Sequence, residues 1–128
     1  MSLEFAQPTI QEQFLEILQK EEVLQIREFL NDQNISDVAE LINEFPEYEH
    51  QIVGNMSVHR AAKVFKILDL PTQKNIIQEL PPFKTAELLN ELPADDRTSF
   101  LEELNSEVVK ELIKLLDPEE RKITLSLL

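Results

Sequence analysis

The 128-residue sequence has no cysteine, no tryptophan, a single glycine and a single tyrosine. Lacking cysteine, it has no disulfides, thiolate metal sites or cysteine nucleophile, which fits a reducing compartment. One glycine, Gly54, cannot build a phosphate-cradling loop, and no glycine pattern surrounds a serine as in a nucleophile elbow. Basic charge is scarce as well, with 12 Lys and Arg against 25 Asp and Glu and a net charge of −13. A nucleic-acid binder must neutralise phosphates with Lys and Arg, so this balance argues against nucleic acid, and equally against an anionic membrane surface. Nothing approaches the roughly 18–20 apolar residues of a membrane span, and no signal peptide opens the chain. His50 and His59 lie on different units without metal-ligand spacing. With no nucleophile, cofactor loop or metal-ligand cluster, the chain is not expected to be an enzyme.

What the chain does have is a repeat. From Ser57 to Leu128 it divides into six blocks of twelve residues, each closing on leucine: Leu68, Leu80, Leu92, Leu104, Leu116 and Leu128. The ninth place is always apolar, and the eighth is apolar in every block except the last, where it is Thr124. At about 100° per residue, places eight, nine and twelve form one stripe of a short amphipathic helix. The first two places collect Ser57, Asp69, Pro81, Pro82, Pro93, Asn105, Asp117 and Pro118. Such residues start or stop helices. Helices this short do not hold alone in water and must lean on their neighbours.

Upstream the spacing is less regular. Residues 1–8 read as a loose lead-in or cloning remnant, and residues 9–128 as one helical-repeat domain. Thr9 and Glu12 form a T-x-x-E capping box ahead of Ile10, Phe14, Ile17 and Leu18. A second helix carries Val23, Leu24, Ile26, Phe29 and Leu30 and ends in the polar run Asn31–Asn34. Ser36 and Asp37 are expected to cap a third helix, and Pro46 to open a fourth with Ile52, Val53 and Met56 facing inward. Gly54 is expected to loosen the end of that unit. No segment alternates with period two, so no strand is expected. The fold class is therefore all-α, a solenoid of about ten short antiparallel helices with 12 residues per helix and 24 per pair.

The joints carry the candidate chemistry. Asp117, Pro118 and Glu120 read as N-cap, first helical residue and capping-box partner. Asp95 and Asp96 occupy the first turn of their helix, where carboxylates complement the helix dipole. Two adjacent carboxylates at an exposed helix start are also candidate ligands for a hard divalent cation. Magnesium takes one or two protein carboxylates and keeps several waters, so such a site is expected to be shared with another surface. Phe83, beside Pro81 and Pro82, reads as a packing residue at a turn. Arg60, Lys63, Lys66 and Lys74 form a modest basic patch: residues 57–80 carry 4 basic and 2 acidic groups, whereas residues 1–56 carry 2 basic and 12 acidic.

The pattern L-P-x-D-D-R-x-x-x-L-E-E-L from Leu92 to Leu104, followed by D-P-E-E-R from Asp117 to Arg121, resembles the cytosolic amino-terminal domain of MgtE-type magnesium transporters. The Ala61-Ala62-x-Val64 segment and the acidic first helices agree with it, so the likeness runs from about Thr9 to Leu128. The resemblance implies a right-handed superhelix at the cytoplasmic face of the plasma membrane. It also implies a place ahead of a pair of CBS domains and a membrane domain in a homodimeric transporter. In that family the domain helps sense cytosolic Mg²⁺, which binds between it and the CBS domains and holds a closed state. Carried over by position, the metal-binding acid falls on Asp95, with Asp96 beside it. Ser99 and Lys63 stand where further acids take part in the family.

A second resemblance belongs to a different functional class. The middle part of the flagellar motor switch protein has similar short-helix units and an A-A-x-V-x-x-x-L segment like Ala61 to Leu68. It implies a helical-repeat scaffold that binds protein, with no role for an ion.

Overall fold

The twelve-residue punctuation becomes a twelve-residue spacing of helix starts. The computed structural model describes residues 7–128, and its last six helices are α5 (Val58–Ile67), α6 (Leu70–Glu79), α7 (Pro82–Glu91), α8 (Ala94–Glu102), α9 (Ser106–Ile113) and α10 (Pro118–Leu127). Their N-caps are Ser57, Asp69, Pro81, Pro93, Asn105 and Asp117, the first residue of every block. Asp69 and Asn105 accept hydrogen bonds from the backbone N–H three residues on, at 2.9 and 3.0 Å. Those bonds satisfy donors that the helix itself leaves unpaired; the Thr72 hydroxyl and then its N–H hold the Asp69 carboxyl below its ordinary pKa. Proline at the first helical position sets φ for α7 and α10 and bars any backward extension.

The predicted stripe forms most of the core from α5 on, but among its ninth places Ile77 and Ile113 are half-buried and Leu125 is exposed. All six eighth places are buried: Val64, Ile76, Leu88, Phe100, Leu112 and Thr124. The twelfth-place leucines are buried in four blocks, Leu104 is half-buried, and Leu128 is exposed on the last unit.

Ahead of the repeat lie α1 (Ile10–Lys20), α2 (Val23–Asp32), α3 (Ile35–Glu44), a 3-10 turn at Pro46–Tyr48, and α4 (Glu49–Gly54). The Thr9–Glu12 capping box forms in both directions at 3.1 Å and lowers the Glu12 pKa. The lead-in predicted over 1–8 falls mostly outside the described residues. Helix α3 begins two residues earlier than expected: its N-cap is Asn34, and Ser36 and Asp37 lie within the helix. Gly54 is the last residue of α4 and has no left-handed backbone. Phe14 is buried and packs against the rings of Phe29 (stacked), Phe45 (tilted) and Tyr48 (edge-to-face) at 6.3, 5.7 and 6.2 Å between centroids. Among the described residues there is no strand, and no helix is long and apolar enough to cross a membrane.

Most of the closest packing joins a helix to the one two places further along, with α1 on α2 and α4 on α5 packed as direct neighbours. Helices α1, α3, α5 and α7 form one such row, while α4 lies on α6 and α8 on α10. The result is an all-α stack of helix pairs, held by apolar contacts between alternate units.

Candidate metal centre

Helix α8 starts without a side-chain cap, because its N-cap is Pro93. Its first turn therefore presents unpaired backbone N–H groups, with Asp95 and Asp96 beside them. Asp95 is exposed, and no ion pair forms to it among the described residues. Asp96 is half-buried, with Oδ2 4.0 Å from Lys66 Nζ on α5. Adjacent helical residues point about 100° apart, so the two carboxylates do not close into one chelate.

Asp96 lies on the wall of a groove of about 440 Å³ between α5, α6 and α8, together with Lys66, Leu70, Ser99, Phe100 and Glu103. Ser99 thus shares the groove with Asp96, whereas Asp95 and Lys63 are not among its lining residues. No group of three or more His, Asp or Glu side chains is placed to hold a metal ion among the described residues. The donors present are hard carboxylate oxygens, which suit Mg²⁺. Either carboxylate alone fits as one donor of a Mg²⁺ coordination shell, with water and another surface completing it.

Several other sequence expectations resolve differently. Phe83 is not packed at its turn: it is 63% exposed, with Lys84 Nζ 5.9 Å from its ring centroid. A neighbouring pair of prolines sets the turn but does not turn the ring inward. His59 Nδ1 lies 2.9 Å from Glu91 Oε1, tying α5 to α7, and His50 is exposed. Arg60 does not belong to a surface patch. Its Nη2 donates to the carbonyls of Leu30 and Gln33 at the end of α2.

The capping box at Asp117 does not form. Asp117 makes no side-chain cap, and its N–H donates instead to Asn90 Oδ1 at 2.7 Å. The Glu120 carboxylate is taken by Arg97 Nη2 at 2.5 Å. A charge-assisted bond to a guanidinium outcompetes a neutral backbone donor.

Arg97 is the residue that sequence reasoning passed over. It follows Asp96 directly, yet its side chain is fully buried. Nε donates to Thr124 Oγ1 at 2.8 Å, and Nη1 to the carbonyls of Leu89 and Leu92 at 3.0 and 3.1 Å. One pair of units further on, Arg121 reaches the carbonyls of Ile113, Lys114 and Leu116. One pair back, Gln73 Nε2 donates to Phe65 O at 2.8 Å. Gln73, Arg97 and Arg121 all hold the fifth place of their block and all reach eight residues back. The intervening fifth places are Ala61, Thr85 and Val109. That alternation is visible in a 24-residue frame and hidden in a 12-residue one.

The sequence profile of the MgtE intracellular N domain matches residues 33–128. A crystal structure of the cytosolic domain of the Mg²⁺ channel MgtE in complex with ATP is similar in fold, with a TM-score of 0.78 at 27% sequence identity. That likeness covers 85% of this chain and 46% of the other, so this chain spans about half the length of the solved relative. No curated protein sequence matches. With three quarters of its length inside the profile, the chain belongs to the MgtE intracellular N domain family.

Proposed function

We propose that this domain senses intracellular Mg²⁺ for a magnesium transporter of the MgtE type. On this reading one ion binds between the start of α8 and an acidic surface of a neighbouring CBS domain, favouring the closed state. The carrying observation is the pair Asp95 and Asp96 on an uncapped, accessible helix start within a strongly acidic member of this family. Asp95 is the principal donor, because the charge of Asp96 is partly answered by Lys66. Bound Mg²⁺ supplies positive charge that offsets repulsion between two acidic faces, so occupancy shifts an open–closed equilibrium. The solved relative belongs to a Mg²⁺ channel, which agrees with this role. The domain then works at the cytoplasmic face of the membrane in a homodimeric transporter, and the family match supports this reading over the motor-switch scaffold.

The test is a titration of this chain with MgCl₂, followed by ¹⁵N–¹H NMR. Weak binding is expected, with shifts centred on residues 94–99 and abolished by Asp95→Asn. Shifts centred elsewhere and unchanged in that variant would sink the assignment. In the intact transporter, Asp95→Ala should relax inhibition by Mg²⁺ while leaving the domain folded.

A further inference from the structure

The equivalent clamps made by Arg97 and Arg121 differ in a way that capping a helix does not require. Both hold carbonyls at the end of the preceding helix. Arg121 does only that, and it is half-buried. Arg97 is fully buried and adds two partners from α10, the carboxylate of Glu120 and the hydroxyl of Thr124. Thr124 is also the one polar residue in an eighth-place column that is otherwise apolar. Its hydroxyl accepts from Arg97 and donates to Glu120 O at 2.7 Å, which satisfies it inside the core. The core is thus altered to serve one guanidinium, and that guanidinium sits one residue beyond the candidate carboxylates.

We propose that Arg97 is the positioning residue of the Asp95–Asp96 site and the link through which that site is tied to α10. This rests on the Mg²⁺ reading above. The joint from Leu92 to Ala94 has no side-chain cap of its own. Arg97 holds the carbonyls of Leu89 and Leu92, the two sides of the last turn of α7, and so sets the angle at which α8 departs. The planar fork satisfies four acceptors from two neighbouring helices at once, which an ammonium on a flexible stem does not reproduce. Partners that orient metal ligands tune affinity although they never touch the ion.

The experiment compares Arg97→Lys with Arg121→Lys in this chain, using MgCl₂ as the probe and NMR as the readout. Both variants weaken an equivalent clamp, so both should lower the unfolding midpoint. Only Arg97→Lys should weaken Mg²⁺ binding at Asp95, by about tenfold. Thr124→Val, which removes one acceptor and keeps the arginine, should give a smaller loss of affinity in the same direction. In the unsubstituted chain, Mg²⁺ should also move the Arg97 Nε–H resonance and the amide of Thr124. Equal affinities in the two lysine variants, or a silent Nε–H, would overturn the proposal. If Arg97→Lys fails to fold, Thr124→Val decides: an unchanged affinity overturns it. A chain in which Asp95→Asn leaves the Mg²⁺ response intact overturns the underlying reading as well, and the Asp95→Asn arm separates the two failures.

Discussion

From α1 to the 3-10 turn, neighbouring units meet through four aromatic rings gathered around Phe14. From α5 onward, they meet through apolar stripes fastened by side chains that bond a neighbour's backbone. The two modes go with different spacing. Burial of apolar ring surface is non-directional, so helices of 11, 10, 10 and 6 residues share one core. A side-chain clamp has a fixed reach and a fixed angle. Gln73, Arg97 and Arg121 each bridge eight residues, and they recur every 24 residues where helix starts recur every twelve. Phe65 and Phe100, at 5.2 Å, are the aromatic pair inside the regular half, and there the rings supplement the clamps.

The largest expected effect comes from the aromatic half. Phe14 is 1% exposed and touches three rings, so Phe14→Ala should cost about 4 kcal/mol in urea unfolding. Stability in a stack is set by local units and their interfaces. Hydrogen exchange should therefore quicken first in α1–α3 while α8–α10 stay protected. Uniform acceleration would show that the two halves unfold as one body.

A smaller effect should appear in the regular half. Asn90 Nδ2 donates to Leu115 O at 3.2 Å while its Oδ1 accepts from Asp117 N–H. Asn31 does the same for Asn55 O and Ser57 N–H, at 3.4 and 3.0 Å. Each asparagine thus fastens the joint in front of a later helix. Asn90→Ala leaves one part-buried carbonyl and one exposed N–H unpaired and should cost about 1 kcal/mol. The exchange pattern should be reversed, with α9 and α10 loosening ahead of α1.

What could be read beforehand follows the same division. Helix starts were legible because each is marked by a residue whose own backbone or side chain dictates it: Asp69 and Asn105 by capping, Pro82 and Pro118 by a fixed φ. Asp95 and Asp96 were placed in a first turn by the same logic. Arg97 was not legible as a buried group, because its acceptors are carbonyls, which every residue carries and no sequence pattern marks. Glu120 departs from its expected capping role for a related reason: a local cap loses to a partner 23 residues away. Asn34 starts α3 from the end of a polar run, and Ser36 and Asp37 just inside the helix are residue types equally suited to a cap, so the sequence alone does not choose between them.

The smallest effect concerns a charge inside the seam between the halves. Glu49, at the start of α4, is 7% exposed, and burial pushes its carboxyl above the ordinary range. A hydrogen bond with Asn75 opposes that push, as does His50, while Asp69 and Glu79 add to it. An acid whose folded pKa is raised destabilises the fold while it is ionised in both states, and the penalty disappears as pH falls through the folded pKa. Glu49→Gln should therefore raise the unfolding midpoint slightly at neutral pH and lose that advantage as the solution is acidified toward the carboxylate range. A variant less stable at pH 7 would mean that Glu49 serves as a hydrogen-bonded tie, like the asparagines, and the seam would then belong to the clamped half.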